Sequence, residues 1–174
     1  ADLLAALNYG VCYFHTYTLL LQYFKQCFGA VKPGGVLVCD GFGGTRSPFT
    51  PIQFRRRCSS FEYIFEQSPI DLLTNRTTCS IDFKFRDDAT GKLGKRQRFF
   101  EYDFRAWSVA EMGDALREAG FEHVSVWIGE SKWREEDGDI QSKDDAFIKL
   151  SDKKAFQPTA EFWNVYVAAR RPMA

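Results

Sequence analysis

Three segments at the start of the chain narrow the fold most: an apolar run at Leu3–Leu7, an amphipathic stretch at 16–30, and a second apolar run at Val36–Cys39. The first run is continuous rather than alternating, the pattern of a parallel strand covered on both faces, and it ends in the turn signal Asn8-Tyr9-Gly10. Leu19, Leu20, Tyr23, Phe24, Cys27, Phe28 and Val31 then recur at spacings of three and four, which predicts a helix from about Thr16 to Ala30 with one apolar face. Gly29 and the Pro33-Gly34-Gly35 turn stop it. Strand, helix and strand in this order make a right-handed crossover between parallel strands. After Cys39, Asp40 opens into the glycine-rich Gly41-Phe42-Gly43-Gly44, read as a loop.

Residues 41–60, rich in Gly, Ser, Pro and Arg, continue as loop. Beyond them the period changes to two. Ile81, Phe83 and Phe85 alternate with Asp82, Lys84 and Arg86, and Phe100, Tyr102 and Phe104 alternate with Glu101, Asp103 and Arg105. The intervening Asp87–Gly94 turn makes these an antiparallel hairpin, with Phe61–Gln67 as a third strand. Phe61, Tyr63, Phe83, Phe85, Phe100, Tyr102 and Phe104 are most simply the core of this insertion, secondarily an aromatic substrate pocket. Ser108 and Glu111 form a capping box, so a helix starts there and runs to about Ala119, where Gly120 suits the left-handed position past the last turn. A strand at 122–129, a flexible acidic stretch at 135–139 and a last strand at 162–170 complete the chain.

Composition bounds the function. A length of 174 residues with 45% hydrophobic side chains suits one well-buried domain, and 23 basic against 23 acidic residues gives no field to draw the chain onto nucleic acid. The Arg55–Arg57 run reads as a solvated face or, less often, an anion site. Five cysteines without a Cys-x-x-Cys pair fit a reducing, cytoplasmic or other intracellular compartment, and Asn75-Arg76-Thr77 is read as a chance sequon. No apolar run reaches the roughly 20 residues of a membrane span. No zinc spacing, nucleophile elbow or phosphate loop is present, so no metal is expected. The first methionine is Met112 and the chain opens inside a strand pattern, which predicts that further protein lies upstream.

The segments DLLAALNYG, KPGGVLVCD, EAGFEHVSVW and FWNVYVAAR, in this order, resemble the C-terminal half of a class I S-adenosylmethionine-dependent methyltransferase. More narrowly, Asn8-Tyr9-Gly10, His15, Tyr23-Phe24, Asp40 with Gly43-Gly44, EYIFEQ, YDFRAW and WNVY look like a little-characterised plant, algal and bacterial methyltransferase group with an antiparallel insertion. The resemblance implies an α/β fold, the C-terminal half of a Rossmann-like sheet in the order 4-5-7-6 with the last strand antiparallel. Residues 2–7, 36–40, 122–129 and 162–170 would be strands four, five, six and seven. The chain would then be a single partial domain, 1–174, with residues 1–45 and 106–174 forming the Rossmann-like part and 61–105 the β insertion. The glycine-rich turn and acidic residue that hold the cofactor in that family are absent, since Gly41–Gly44 follows the wrong strand. S-adenosylmethionine would therefore be bound mainly by residues upstream of this chain.

Methyl transfer from a sulfonium asks for alignment, exclusion of water and, for some acceptors, removal of a proton. By the resemblance, Asn8, Tyr9 and Gly10 would border the cofactor at the carboxyl edge of the sheet, although Asn8 could equally only fix a turn. His15 could act as general base or make a structural hydrogen bond at the helix start, and Asp40 could orient the substrate or bond the amides of the Gly41–Gly44 loop. Tyr13, Phe42, Gly43, Tyr63, Arg105 and Trp107 are candidate substrate contacts; for Arg105 and Trp107 the alternative is a stacked pair packing the insertion onto the sheet. His123 reads as structural. The first functional reading is a methyltransferase portion acting on a small-molecule or protein substrate. The competing readings are a non-catalytic methyltransferase-like subunit that binds a protein partner through the insertion or the open sheet edge, and a self-standing ligand-binding domain.

Overall fold

The computed structural model describes residues 1–44, 47, 51–87, 89–134, 139–142, 148–149 and 162–173. The acidic stretch at 135–138 lies outside the described residues. The chain is mixed α/β with two sheets and few helices: β1 (Leu3–Ala6), a short 3-10 turn (Gly10–Tyr13), α1 (Tyr17–Ala30), β2 (Val36–Gly43), β3 (Ile52–Arg57), β4 (Phe61–Gln67), β5 (Arg76–Phe85), β6 (Gln97–Arg105), α2 (Val109–Glu118), β7 (Glu122–Arg134), β8 (Asp139–Ser142), β9 (Ile148–Lys149) and β10 (Phe162–Arg170).

The main sheet runs β1-β2-β10-β7-β8, with β9 also on β7. β1 and β2 pair in parallel, and β10 is antiparallel to both β2 and β7. α1 starts where the Thr16 side chain accepts from the Leu19 amide, and α2 starts at a complete capping box between Ser108 and Glu111. Gly120 takes φ +105° just beyond α2, a conformation that a side chain would strain. Both helices lie on one face of the sheet. Leu20, Phe24 and Cys27 of α1 and Met112, Ala115 and Leu116 of α2 form one core with Leu37, Cys39, Val165, Val167 and Ala169.

The opposite face is open, which corrects the expectation of a β1 covered on both sides. Leu3 and Leu7 are 63% and 45% exposed, because among the described residues β1 pairs only with β2 and neither helix reaches that face. Leu19, expected on the apolar face of α1, is also exposed. It lies off the face that carries the buried Leu20, Phe24 and Cys27.

The insertion is a four-stranded antiparallel sheet, β3-β4-β5-β6. β3 falls within residues 41–60, read above as loop, and its edge position explains the miss: IQFRRR becomes a strand by pairing with β4 from Ile52↔Gln67 to Arg57↔Glu62. β2 is likewise longer than expected. Gly41, Phe42 and Gly43 are not a loop but the end of the strand, held by Val165, Asn164 and Trp163 of β10.

Of the insertion aromatics expected to be core, Phe104 is buried with Tyr102 packed against it, but Phe85 and Phe100 are 46% and 50% exposed, whereas Asp82 and Glu62 on the charged face are almost fully buried. Arg96 and Arg98 fold over Asp82, and Arg57 and Lys84 reach Glu62, so the stems of these long side chains cover the carboxylates.

Candidate functional site

The carboxyl ends of β1 and β2 bring the first cluster of expected site residues together. Asn8 and Tyr9 both adopt left-handed backbone, φ 59° and 58°. The Tyr9 amide donates to Asp40 Oδ1 at 2.8 Å, and the Asn8 amide also bonds this carboxylate. Asp40 therefore holds the turn after β1, while Gly41–Gly43 of the expected loop belong to strand β2. Burial pushes the Asp40 carboxyl up from its ordinary range, and the Tyr9 and Asn8 amides pull against that shift.

Tyr9 lies over the end of the sheet. Its hydroxyl donates to Asn164 Oδ1 at 2.7 Å, and its ring meets Phe42 edge-on with centroids 4.9 Å apart. Burial first, and the Asp40 charge second, push its phenol well above the usual range, so the hydroxyl stays protonated. The same two causes push the neighbouring Cys12 thiol up to about 12, leaving it a protonated core residue. A Cβ on Gly10 would meet nothing within 4 Å, so the turn leaves open space at its tip.

His15 sits at the junction with the insertion. Its Nε2 is 2.8 Å from the Asp103 backbone carbonyl, which can only accept, so Nε2 carries the proton. The backbone carbonyl of His15 accepts from Arg105 Nη1 at 3.0 Å. Of the two roles weighed for His15, its hydrogen bonds serve the structural one.

Arg105 and Trp107 form a stacked pair. The guanidinium lies 3.9 Å from the Trp107 ring centroid, and Trp107 is 2% exposed with its indole N–H donating to Phe14 O at 3.1 Å. Gly43 is placed for packing: a Cβ there would collide with the Trp163 ring laid across β2. Tyr63 lies away from this edge, among Phe54 and Phe83 on the insertion. Tyr13 is 54% exposed and meets Phe104 and Tyr102 edge-on at the junction between the sheets. His123, exposed and in left-handed backbone, is the second residue of β7.

Sequence reasoning missed Asn164, although a lone amide inside FWNVYVAAR was a signal. A polar depression of about 520 Å³, lined by residues including Asp71, Arg76, Thr78, Glu101 and Asp103, lies on the charged side of β6. It is separated from Tyr9 by the strand itself. Among the described residues no cluster of His, Cys, Asp and Glu could hold a metal ion, and no helix is long and apolar enough to cross a membrane.

No protein-family model matches the sequence, and no curated protein does. Solved structures do match. An S-adenosylmethionine-dependent methyltransferase from Clostridium acetobutylicum covers 98% of this chain with 58% of its own, at 17% identity and TM-score 0.62. The CcbJ methyltransferase from Streptomyces caelestis covers 99% with 61% of its own, at 12% identity and TM-score 0.59. An amino pentose methyltransferase from Micromonospora echinaspora, solved with S-adenosylmethionine bound, covers 97% with 58%, at 15% identity and TM-score 0.56. The chain thus shares the class I fold of S-adenosylmethionine-dependent methyltransferases, and it spans about three fifths of the length of these structures.

Proposed function

We propose that this chain is the acceptor-side, carboxyl-terminal portion of an S-adenosylmethionine-dependent methyltransferase of the group with an antiparallel insertion. The observation that carries the reading is the match of nearly the whole chain to part of each methyltransferase structure, 97–99% of it against 58–61% of theirs. The sheet supports the same reading: β1, β2 and β7 run parallel and β10 runs against them, in the order β1-β2-β10-β7, as strands four, five, seven and six of that fold would. The open face of the sheet and the edge of β1, unpaired among the described residues, fit further sheet and helices of the same protein.

The residues present fit one end of the cofactor. Open space beside Gly10, next to a turn held rigid by Asp40, suits the approach of a ligand, whereas no glycine-rich turn after a first strand is here to anchor the amino acid and ribose parts. Bound S-adenosylmethionine would supply a methyl group made electrophilic by its sulfonium. Asn8, Tyr9 and Gly10 would border it, with Asp40 fixing their backbone. Tyr9, its one O–H committed to Asn164, would accept a hydrogen bond from the acceptor's O–H or N–H and so orient the acceptor, and the Tyr9–Phe42 ring pair would exclude water.

The test is Gly10→Val in the intact protein. Because a Cβ meets nothing at this position, folding should be retained while the added side chain fills the space. S-adenosylmethionine affinity by calorimetry or transfer of a labelled methyl group should fall, on the order of 100-fold for transfer. A folded Gly10→Val protein with unchanged affinity and unchanged transfer would overturn the assignment of this edge, and an intact protein that never binds S-adenosylmethionine would overturn the transferase reading.

A further inference from the structure

Alternation on β6 puts Phe100, Tyr102 and Phe104 on one face, and their rings form an ordered row. Phe100 and Tyr102 are parallel within 7° with centroids 6.4 Å apart; Tyr102 and Phe104 are parallel within 8° at 5.2 Å. Tyr13 closes one side of the row, edge-on to Phe104 at 5.0 Å and to Tyr102 at 6.4 Å. Phe104 in turn lies 6.4 Å from both Tyr9 and Phe42, so the row runs without a break into the edge described above. Its inner member is buried and its outer members are open: Phe104 is 4% exposed, Phe100 50% and Tyr13 54%.

The charges lie elsewhere. Glu101, Asp103 and Arg105 occupy the other face of β6, and the carboxylates of β4 and β5 nearest them, Glu66 and Asp82, are held by Arg96 and Arg98. Asp40, the acid at the near end, is committed to backbone amides. Among the described residues a cationic occupant of this row would meet only the weak pull of ring faces and no free carboxylate, whereas a flat neutral ring would meet ring faces and edges at stacking distance and the hydroxyls of Tyr13 and Tyr102.

We propose that the row Phe104–Tyr102–Phe100, closed by Tyr13, is the acceptor platform of this site and takes a neutral, planar aromatic ring system. Only the fate of the bound ring rests on the transferase reading; the binding does not require it.

The probe is 2-naphthol, titrated into the intact protein without cofactor and followed by calorimetry and saturation-transfer NMR, with cyclohexylammonium as a cation lacking an aromatic ring. Saturable 2-naphthol binding is expected, weakened roughly 3- to 10-fold in each of Tyr13→Ala and Phe100→Ala, both exposed enough to substitute without unfolding. Phe85→Ala, on the far part of the insertion, should leave it unchanged, and cyclohexylammonium should bind more weakly than 2-naphthol. Absent 2-naphthol binding, binding indifferent to both variants, or tighter binding of the cation each overturns the proposal. So does a dimer that excludes 2-naphthol and that Phe100→Ala splits in sedimentation, because a second copy would then cover the row. A protein that binds 2-naphthol through these rings but never binds S-adenosylmethionine would sink the transferase reading alone.

Discussion

The two sheets bury different kinds of side chain. In the main sheet the face under α1 and α2 is aliphatic, with Leu37, Cys39, Val165 and Val167 at 0% exposure. In the insertion one face buries Asp82, Glu62 and Ser80 beside Ile64, while the aromatic face is buried where Cys79 and Phe104 meet the main core and left to solvent at Phe85, Phe99 and Phe100. Burial in the first is driven by removing apolar surface from water, roughly 25 cal/mol per Å². Burial in the second follows from ion pairing, in which arginine and lysine stems screen the acids they neutralise. A hydrophobic pattern therefore has different energetic meaning in the two halves of one chain.

The sharpest way to break this contrast is to cut one aromatic ring from each side. Trp107→Ala removes a buried ring that holds the insertion to the core, with Arg105 stacked on it and Phe14 bonded to it. It should cost about 3–5 kcal/mol. Phe85→Ala, on the open aromatic face, should cost less than about 1 kcal/mol. Urea denaturation of both variants checks this, and equal losses would show that the aromatic face is a core after all.

A smaller effect probes the charged face. Asp82 receives Arg96 and, at 3.1 Å, Arg98 Nε. Asp82→Asn removes the charge at nearly constant shape. Arg96 and Arg98 keep Glu66 and Glu101 as partners, so the expected loss is about 1–3 kcal/mol, read from the same denaturation midpoints. A neutral or stabilising Asp82→Asn would mean that ion pairing does not hold this face together.

The contrast also explains what could be read from the sequence. α1, the Ser108–Glu111 box and Gly120 were legible because their signals are local: a 3.6 period, a hydroxyl three residues from a carboxylate, a glycine after the last turn. β3 was not, since Arg55–Arg57 carry no strand pattern and the segment is extended only because β4 pairs with it. Gly41–Gly43 read as loop for the same reason, its partner lying on β10. Alternation did assign Phe83 and Asp82 to opposite faces. It could not say which face would be covered, which depends on arginines reaching across strands. At the site, the turn residues Asn8–Gly10 and Asp40 were legible as a group, but the Tyr9–Asn164 bond joins positions 155 apart and has no local signature.

The smallest effect separates the halves by the sign of their response to acid. Glu66, on the charged face, has its carboxyl held below the ordinary 4.5, first by the hydrogen bond from Arg96. A depressed folded-state pKa contributes stability that is present above the unfolded value and lost as pH falls through the folded one. Asp40, at the end of the main sheet, is shifted the other way, up from 3.8 by burial. There the folded state takes up the proton more readily than the unfolded chain, so stability falls as pH rises from the unfolded pKa to the folded one and is regained on acidification. Glu66→Gln should thus be less stable than the parent at about pH 7, with the difference closing well below pH 4.5, while Asp40→Asn should be slightly more stable at about pH 7 and lose that advantage in acid. Urea midpoints for the three proteins across this range decide it. An Asp40→Asn variant less stable than Glu66→Gln at neutral pH would mean that the charge on Asp40, through the Tyr9 and Asn8 amides, stabilises the turn by more than its burial costs.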